Sequence, residues 1–166
     1  MWLGVVAFIA MSVWWLTQDD RVPDFDSGLH MTYAMVAHAE IASGKVTAPF
    51  THWNTYPPLV HLVGALTISL VGMHPMALIL SSNVVFVPLL AFGCFGVGKI
   101  VVGPRAGLLA AVFALGAPMF VSMMHEYDLD PPQAAMVALS VWAVLASRRF
   151  ERSGIALLGA SSPDSP

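Results

Sequence analysis

Long apolar stretches, separated by short polar segments, run along almost the whole chain. They occupy residues 2–16, 59–72, 76–98, 106–124 and 134–147. A helix that crosses a bilayer needs about 20 apolar residues, within a range of about 17–25. The third and fourth stretches reach that length, and the first and last reach it with their uncharged flanks. The second is shorter, contains His61 and follows the proline pair Pro57 and Pro58, so the charged residues must decide whether it spans.

The low charge content of the chain agrees with a membrane protein. Of the 166 residues, 57% are hydrophobic and 10% are charged, whereas soluble domains carry about 25% charged residues. The net charge of −3 and the lack of a basic, aromatic-rich patch give no reason to expect a nucleic-acid partner. The single cysteine, Cys94, excludes an intrachain disulfide and a CxxC metal site. The sequence therefore predicts an all-α integral membrane protein.

The distribution of Lys and Arg favours four spans over five, because these residues concentrate on the cytoplasmic side. If residues 59–72 only dip into the interface, the acidic segments "TQDDRVPDFDSGLH" and "HEYDLDPP" share the outer side. Five of the seven basic residues are then inside, and only Arg21 and Lys45 are outside. If residues 59–72 span, the two acidic segments fall on opposite sides of the membrane from each other, and so do the two basic clusters. We predict spans at about 1–17, 76–98, 106–124 and 131–147, in the plasma (inner) membrane with the N-terminus inside.

The predicted outer loop, residues 18–75, contains two interfacial helices. Residues 27–44 form an amphipathic pattern, and the second interfacial helix is 59–72. Ser27 or Asp26 is the expected N-cap, and Gly44 is the expected end of the first helix. One face of that helix carries Leu29, Tyr33, Val36, Ala37 and Ile41. The membrane domain is 1–152, and the tail 153–166 is expected to be disordered at its end.

Four aspartates of the first acidic segment lie just before or within the start of the first interfacial helix. Asp24 and Asp26 either cap the helix, which contributes about 1 kcal/mol, or act in catalysis. Asp19 and Asp20 are interpreted as solvated loop charges.

The second acidic segment contributes Glu126, Asp128 and Asp130 on the same predicted side of the membrane. Two carboxylates from separate loops can divide a reaction, one taking a proton and the other orienting a partner. Asp130 also precedes Pro131 and Pro132, which is typical of a helix start. Capping and catalysis are compatible, because a capped helix end holds its side chain rigidly.

A metal site and a transport function find less support. His30 follows Asp26 by four residues, a spacing that can ligate a divalent ion, but no HExxH-type signature accompanies it. We therefore assign no metal ligand, and a divalent ion stays an open alternative. The predicted spans carry almost no ionisable residues, whereas pumps and ion channels usually carry them within the bilayer.

The order of several short motifs resembles a known family. "PDFDSGLH" opens the first interfacial helix, "YPPLVHLVGAL" the second, and "GPRAGLLAAVFALGAP" and "YDLDPPQAAMVALSVWAVLAS" follow. Together they resemble the N-terminal part of the GT-C fold membrane glycosyltransferases. Within that fold they are most similar to the dolichyl-phosphate-mannose–protein mannosyltransferases and the bacterial lipid A aminoarabinose transferase. The resemblance covers residues from Met1 to about Arg152.

The resemblance implies an inverting transfer of a sugar from a polyprenyl-phosphate donor to a lipid, protein or glycan acceptor at the outer membrane face. It implies Asp26 as the catalytic base, with Asp24 as the alternative, and Asp130 as the acidic residue of the second outer loop. No cofactor is required by it. We also expect substrate contacts from Arg21, His30, Tyr56, Glu126 and Asp128.

Two departures from the family keep a rival hypothesis open. Ser27 follows Asp26, where the family often has Glu, and family members have many more spans. We therefore expect either a fragment of a longer enzyme or a shortened protein that cannot act alone. The rival is a non-catalytic membrane protein, an assembly subunit or truncated remnant, whose acidic loops only cap helices.

Overall fold

The computed structural model describes residues 1–51 and 56–147 of the chain. Within these two ranges every regular element is a helix, as the sequence predicts. The helices are α1 (Trp2–Leu16), α2 (Phe25–Ala42), α3 (Ala48–Thr51), α4 (Leu59–Val71), α5 (Pro75–Val101), α6 (Pro104–Leu115), α7 (Pro118–Met123) and α8 (Asp130–Ala146). The basic segment 148–152 and the predicted tail 153–166 lie outside the described residues.

Helix α5 is the centre of the packing. In the described part of the chain it is the one helix long and apolar enough to cross a membrane by itself, while α1, α4 and α6 are apolar but shorter. Its sides contact α1, α4, α6 and α8. The buried side chains Leu78, Phe86, Val87 and Leu90 follow its length and form the middle of the hydrophobic core.

Glycines let α6 and α8 approach α5 closely, as the small residues of "GCFGVG" and "GPRAG" predict. A Cβ built on Gly98 would lie 2.7 Å from the Cα of Gly107 on α6. A Cβ on Gly96 would collide with the ring of Trp142 on α8. The backbone of α5 is therefore in contact with the backbone of α6 and with the Trp142 ring of α8.

The predicted span 106–124 is not one continuous helix. It is divided into α6 and α7, with Gly116 and Ala117 between them. Pro118 lacks an N–H group and restricts the preceding residue to extended conformations. Ala117 accordingly has a ψ of 123°, which ends the helical path. Apolar composition alone gave no indication of this break.

Helix α2 begins two residues earlier than predicted. Its N-cap is Asp24, one of the two aspartates for which we considered capping, rather than Ser27 or Asp26. The Asp24 carboxylate accepts a hydrogen bond from the Ser27 amide at 2.8 Å. The chain leaves the helix at Gly44, whose φ is +84°, so the predicted end is confirmed.

The face of α2 that packs on α4 differs from the predicted apolar face. The five residues of the predicted apolar face were expected to face the membrane, and of these Ala37 is buried, while Val36 and Ile41 are exposed. Small or polar side chains permit a closer approach to α4 than large apolar ones. The buried positions are Ser27, His30, Met31, Ala34 and Ala37.

Helices α2 and α4 run parallel to each other. His30 contacts His61, and eight residues further along each helix His38 contacts Ser69, so both pairs are 31 residues apart. Helix α4 has 13 residues and is about 20 Å long, whereas the hydrocarbon core is about 30 Å thick. The second apolar stretch is thus a helix, as predicted, and too short to cross a bilayer by itself.

Both acidic loops lie beside the N-terminal half of α5. Asn83 of α5 donates a hydrogen bond to the carbonyl of Met124 at 2.9 Å, and one cavity is shared by His74, Asp24 and Glu126. Lys99 is in the last turn of α5, about 36 Å along the helix axis from Pro75. The acidic loops and this basic residue are therefore at opposite ends of the same helix.

We expect Gly64→Ala to destabilise the protein. A Cβ at Gly64 would collide with the Tyr127 hydroxyl and lie 2.7 Å from the Cβ of Ala34. Overpacking of this kind costs about 1–3 kcal/mol, which exceeds the about 0.5–1 kcal/mol gained by replacing a helical glycine. The measurement is the free energy of unfolding in mixed detergent micelles, followed by circular dichroism.

Gly28→Ala is the matched control for this substitution. Gly28 also lies in a helix, and nothing in the described part of the chain comes within 4 Å of a Cβ built there. It should therefore be neutral or slightly stabilising. Equal effects of the two substitutions would contradict the close packing of α2, α4 and Tyr127.

Candidate functional site

The first acidic loop is tied to the end of α1 and to the second acidic loop. The Asp19 carboxylate accepts two hydrogen bonds from the Arg21 guanidinium at 2.8 Å each and one from the Trp15 indole at 3.2 Å. Arg21 is the main reason that the pKa of Asp19 is far below its usual value. The Trp15 ring stacks on His125 with centroids 4.5 Å apart. Asp19 is therefore part of an ion pair, rather than the isolated solvated charge that the sequence suggests.

A small cavity lies between the two loops, and we call it the loop cavity. Its volume is about 280 Å³, and its walls include Asp19, Asp20, Arg21, Asp24 and Glu126. Burial raises the pKa of Glu126, the carboxylates of Asp24, Asp128 and Asp19 raise it further, and Arg21 opposes them. This cavity therefore combines several acidic groups with one cation that Asp19 already holds.

A larger cavity lies on the other side of the start of α2, and we call it the acid cavity. Its volume is about 770 Å³, within the range of about 300–1,000 Å³ that is usual for ligand sites. Apolar side chains of Val60, Phe86 and Met136 form part of its wall. The polar side chains that line it include Asp26, His30, Tyr56, Asp128 and Asp130.

The three carboxylates of the acid cavity come from two parts of the chain. Asp26 is in the first turn of α2, and Asp130 is in the first turn of α8. Asp128 lies between α7 and α8, where its carboxylate accepts a hydrogen bond from the Leu129 amide at 2.6 Å. Asp26 and Asp130 are both exposed, so they are accessible to a ligand.

A buried hydroxyl fixes the second loop against α4. Tyr127 is fully buried, and its hydroxyl donates a hydrogen bond to the Val60 carbonyl at 2.8 Å. Burial raises the pKa of Tyr127 above its usual value, so the hydroxyl stays neutral and remains a donor. Because Asp128 follows directly in the chain, this bond sets where the second carboxylate group enters the cavity.

Two histidines pack together at the acid cavity: His30 lines it, and His61 is buried behind His30. The Nδ1 atom of His30 lies 3.2 Å from the Nε2 atom of His61. Burial lowers the pKa of His30, against the carboxylates of Asp128, Asp26 and Asp24, which raise it. Burial and the neighbouring His30 lower the pKa of His61 to about 4. Both rings are therefore neutral at pH 7.

The structure brings together five of the eight residues predicted for the site. Asp26, Asp128, Asp130, His30 and Tyr56 line the acid cavity. The other three, Asp24, Arg21 and Glu126, line the loop cavity. Asp24 is the cap of α2, whereas Asp26 lines the acid cavity.

Sequence reasoning missed His61 and Tyr127. His61 was one of several scattered histidines, and only the parallel packing of α2 and α4 places it next to His30. One signal was available: His30 and His61 each lie within an apolar helical pattern, where burying a polar ring without a hydrogen-bond partner would cost free energy. Tyr127 gave no such signal, because it stands among charged residues.

Within residues 1–51 and 56–147, no three His, Cys, Asp or Glu side chains are grouped so as to hold a metal ion. The acid cavity also has no Lys or Arg among its described lining residues. Its chemistry is that of carboxylates and one neutral imidazole, which accept protons and orient hydroxyl or amine groups.

We expect Asp24→Ala to destabilise the protein by about 0.5–2 kcal/mol, because α2 loses its N-cap. Asp20→Ala is the control, since Asp20 is exposed in the same loop and caps no helix. Thermal unfolding in detergent, followed by circular dichroism, measures both. Equal stability of the two variants would show that Asp24 is not an effective cap.

Comparison with protein-family models, with curated proteins and with solved structures gives no match to this chain. Any function of the acid cavity therefore has to be derived from its own residues.

Proposed function

We propose that the acid cavity serves the transfer of a sugar from a polyprenyl-phosphate donor to an acceptor at the outer face of the membrane. The acceptor is a lipid, a protein or a glycan with a hydroxyl or amine group. The observation that carries the proposal is the convergence of Asp26 and Asp130 on one cavity, although they are about a hundred residues apart in the chain. A convergent pair of carboxylates is what general-base catalysis of such a transfer needs.

Asp26 is the general base in this proposal. Its carboxylate takes the proton of the acceptor hydroxyl or amine as that group attacks the anomeric carbon of the sugar. The new bond forms with inversion, and the bond from the anomeric carbon to the phosphate oxygen breaks. The electron pair of that bond leaves with the lipid phosphate. Asp128 and Asp130 orient the acceptor from the opposite wall.

The distribution of charge assigns the acid cavity to the acceptor rather than to the donor phosphate. Three carboxylates repel a phosphate, and the described lining contains no Lys or Arg that would offset them. Arg21, the one cation among the residues expected to contact the substrate, lies at the loop cavity and forms an ion pair with Asp19. The phosphate therefore approaches from outside the acid cavity, on the side where the sugar is delivered.

In the same proposal α1, α5, the α6–α7 pair and α8 span the membrane, while α2 and α4 lie in the outer interface. The 27 residues of α5 extend about 40 Å, longer than the about 30 Å hydrocarbon core. The first turns of α5 then project on the outer side, where both acidic loops flank them. Lys99 and Arg105 are at the inner end, in agreement with the preference of Lys and Arg for that side.

A non-catalytic role is the second candidate, and the cap of α2 favours it. Asp24 satisfies the free amide of Ser27, and Asp130 occupies the first turn of α8, where a negative charge favours the helix. If capping is the only role, the acidic residues stabilise an assembly subunit and carry no reaction. Activity measurements on isosteric variants separate the two candidates.

We expect an impermeant maleimide to label Val22→Cys in intact cells and to label Val102→Cys only after permeabilisation, both in a Cys94→Ala background. Val22 is in the first acidic loop and 87% exposed, and Val102 follows α5 and is 78% exposed. The opposite pattern would reverse the orientation. Labelling of both from one side would show that α5 does not cross the membrane.

We expect Asp26→Asn to reduce sugar transfer by about 10²–10⁴-fold without changing the helix content, because Asn keeps the size of Asp but accepts no proton. Asp130→Asn should also reduce turnover. The measurement is transfer of labelled sugar from a panel of polyprenyl-phosphate sugars to lipid, protein and glycan acceptors. Membranes must contain equal amounts of each variant.

Asp20→Asn is the matched control, with the same chemical change at an exposed position outside the acid cavity, and it should retain the wild-type rate. Asp24→Asn should behave similarly, because Asn can still cap α2. A wild-type rate for Asp26→Asn would reject Asp26 as the base. Wild-type rates for both Asp24→Asn and Asp26→Asn would leave the non-catalytic role.

A further inference from the structure

The bond between His30 and His61 constrains how many protons the two rings can carry. With 3.2 Å between Nδ1 of His30 and Nε2 of His61, one nitrogen must donate an N–H and the other must accept with its lone pair. Two imidazolium rings would turn an N–H from each side toward the other and remove the acceptor. The geometry therefore favours at most one additional proton on the pair.

The two rings have different access to the acid cavity. His30 lines the cavity one helical turn after Asp26, and the edge of its ring meets Tyr56 with centroids 5.0 Å apart. His61 is fully buried behind it, with its ring against Tyr33 at 5.3 Å. His61 is not among the described lining residues of the cavity, so it reaches a ligand only through His30.

We propose that His30 contacts the ligand of the acid cavity and accepts the ligand's proton from Asp26, and that His61 positions His30 and limits the pair to one additional proton. In the neutral pair, His30 donates its Nδ1–H to His61, and the lone pair on its Nε2 faces the cavity. A proton that the Asp26 carboxylate has taken from the acceptor moves to this nitrogen. The carboxylate is thereby restored, and the positive charge rests on His30. This inference rests on the proposed function for the nature of the ligand.

The charged groups around the pair fix the order in which the rings are protonated. Asp26 and Asp24 of α2 and Asp128 of the second loop all favour a positive charge on His30. Tyr33, Tyr56 and Tyr127 are the other titratable groups nearby in the described part of the chain, and burial raises the pKa of Tyr127. His61 is surrounded by protein and opposed by any charge on His30. The first proton therefore goes to His30.

The pH dependence follows from this order. Both rings have a pKa below the usual value, so the folded protein binds fewer protons than the unfolded chain between about pH 6.5 and pH 4. When His30 becomes charged at low pH, its Nε2 changes from acceptor to donor. It can then no longer accept the acceptor's proton from Asp26, and the pair loses stability.

Histidine titration by ¹⁵N NMR tests the pair in the full chain in detergent micelles, with no ligand added. We expect coupled curves, with His30 protonated first and His61 only at markedly lower pH. His30→Gln should shift the His61 curve upward, because a neighbouring charge is removed. Independent curves for the two rings, each unchanged when the other is replaced by Gln, would overturn the proposal.

His38→Gln is the matched control. His38 also joins α2 to α4, through its 3.0 Å contact with Ser69, but it is part of the exposed surface of that interface. Its replacement should leave both titration curves in place. A shift as large as that caused by His30→Gln would mean that any bond between α2 and α4 has the same effect, and would overturn the specific pairing.

The pH profile of sugar transfer tests the positioning role. We expect His61→Leu to lower kcat/KM at pH 7 more than tenfold and to displace the acidic limb of the profile. His61→Gln should restore part of the rate, because its amide can still bond to His30. If His61 only supported the fold, both variants would reduce the amount of folded protein and leave the profile of the remainder unmoved, which would overturn this role.

The two measurements distinguish failure of this inference from failure of the proposed function. Coupled titration in a protein that transfers no sugar from any tested donor would retain the proton-sharing pair, and would reject the transferase and with it the catalytic role of His30. Sugar transfer by a protein whose two histidines titrate independently would retain the transferase and reject the proton-sharing pair.

Discussion

The buried hydroxyl of Tyr127 joins parts of the chain that are 67 residues apart, and the acid cavity depends on this join. Tyr127 bonds to the first turn of α4 and fills the space that Gly64 leaves open. A neutral hydrogen bond between fully buried groups is costly to break, because both partners would lose their hydration. The second acidic loop is therefore held against α4, and Asp128 is held at the cavity.

The packing of α2 on α4 supplies the other half of the same wall. Ala34, Ala37 and Gly64 permit a close contact, and the polar pair His30 and His61 lies at the end near the cavity. A polar group in such an interface must be satisfied by a neighbour. Each histidine therefore restricts the other, and a slip of α2 along α4 would leave both rings without this bond.

Much of the fold could be predicted from periodicity and length, since long apolar stretches become helices wherever nothing interrupts them. Helix α5 and helix α8 follow the predicted ranges closely, and Gly44 ends α2 as expected. Local chemistry determined the exceptions. Pro118 divides α6 from α7, and the carboxylate of Asp24 moves the start of α2. Pro118 was visible in the sequence, but apolar content outweighed it in the prediction, whereas capping was one of the two roles predicted for Asp24.

Five lining residues of the acid cavity were predicted from the sequence, namely the three carboxylates with His30 and Tyr56, whereas the partner of His30 was not. Asp26, Asp128 and Asp130 lie in two acidic segments, and the prediction that both segments share one side of the membrane led us to expect them close together. The contact of His30 with His61 depends on the relative direction of α2 and α4, for which the sequence gives no local signal. Arg21 shows the converse, because Asp19, two residues before it in the chain, binds it at the loop cavity and away from the acid cavity.

The parallel direction of α2 and α4 has an electrostatic consequence for the cavity. An antiparallel pair would bring a helix N-terminus and a helix C-terminus together, whereas the parallel pair brings two N-termini to the same wall. Each of α2, α4 and α8 contributes a residue of its first turn to the lining of the acid cavity, namely Asp26, Leu59 and Asp130. Each helix N-terminus carries a partial positive charge, and a nearby carboxylate gains about 0.3–1 kcal/mol from it. The three helix ends therefore offset part of the mutual repulsion of the carboxylates in a cavity whose described lining has no Lys or Arg.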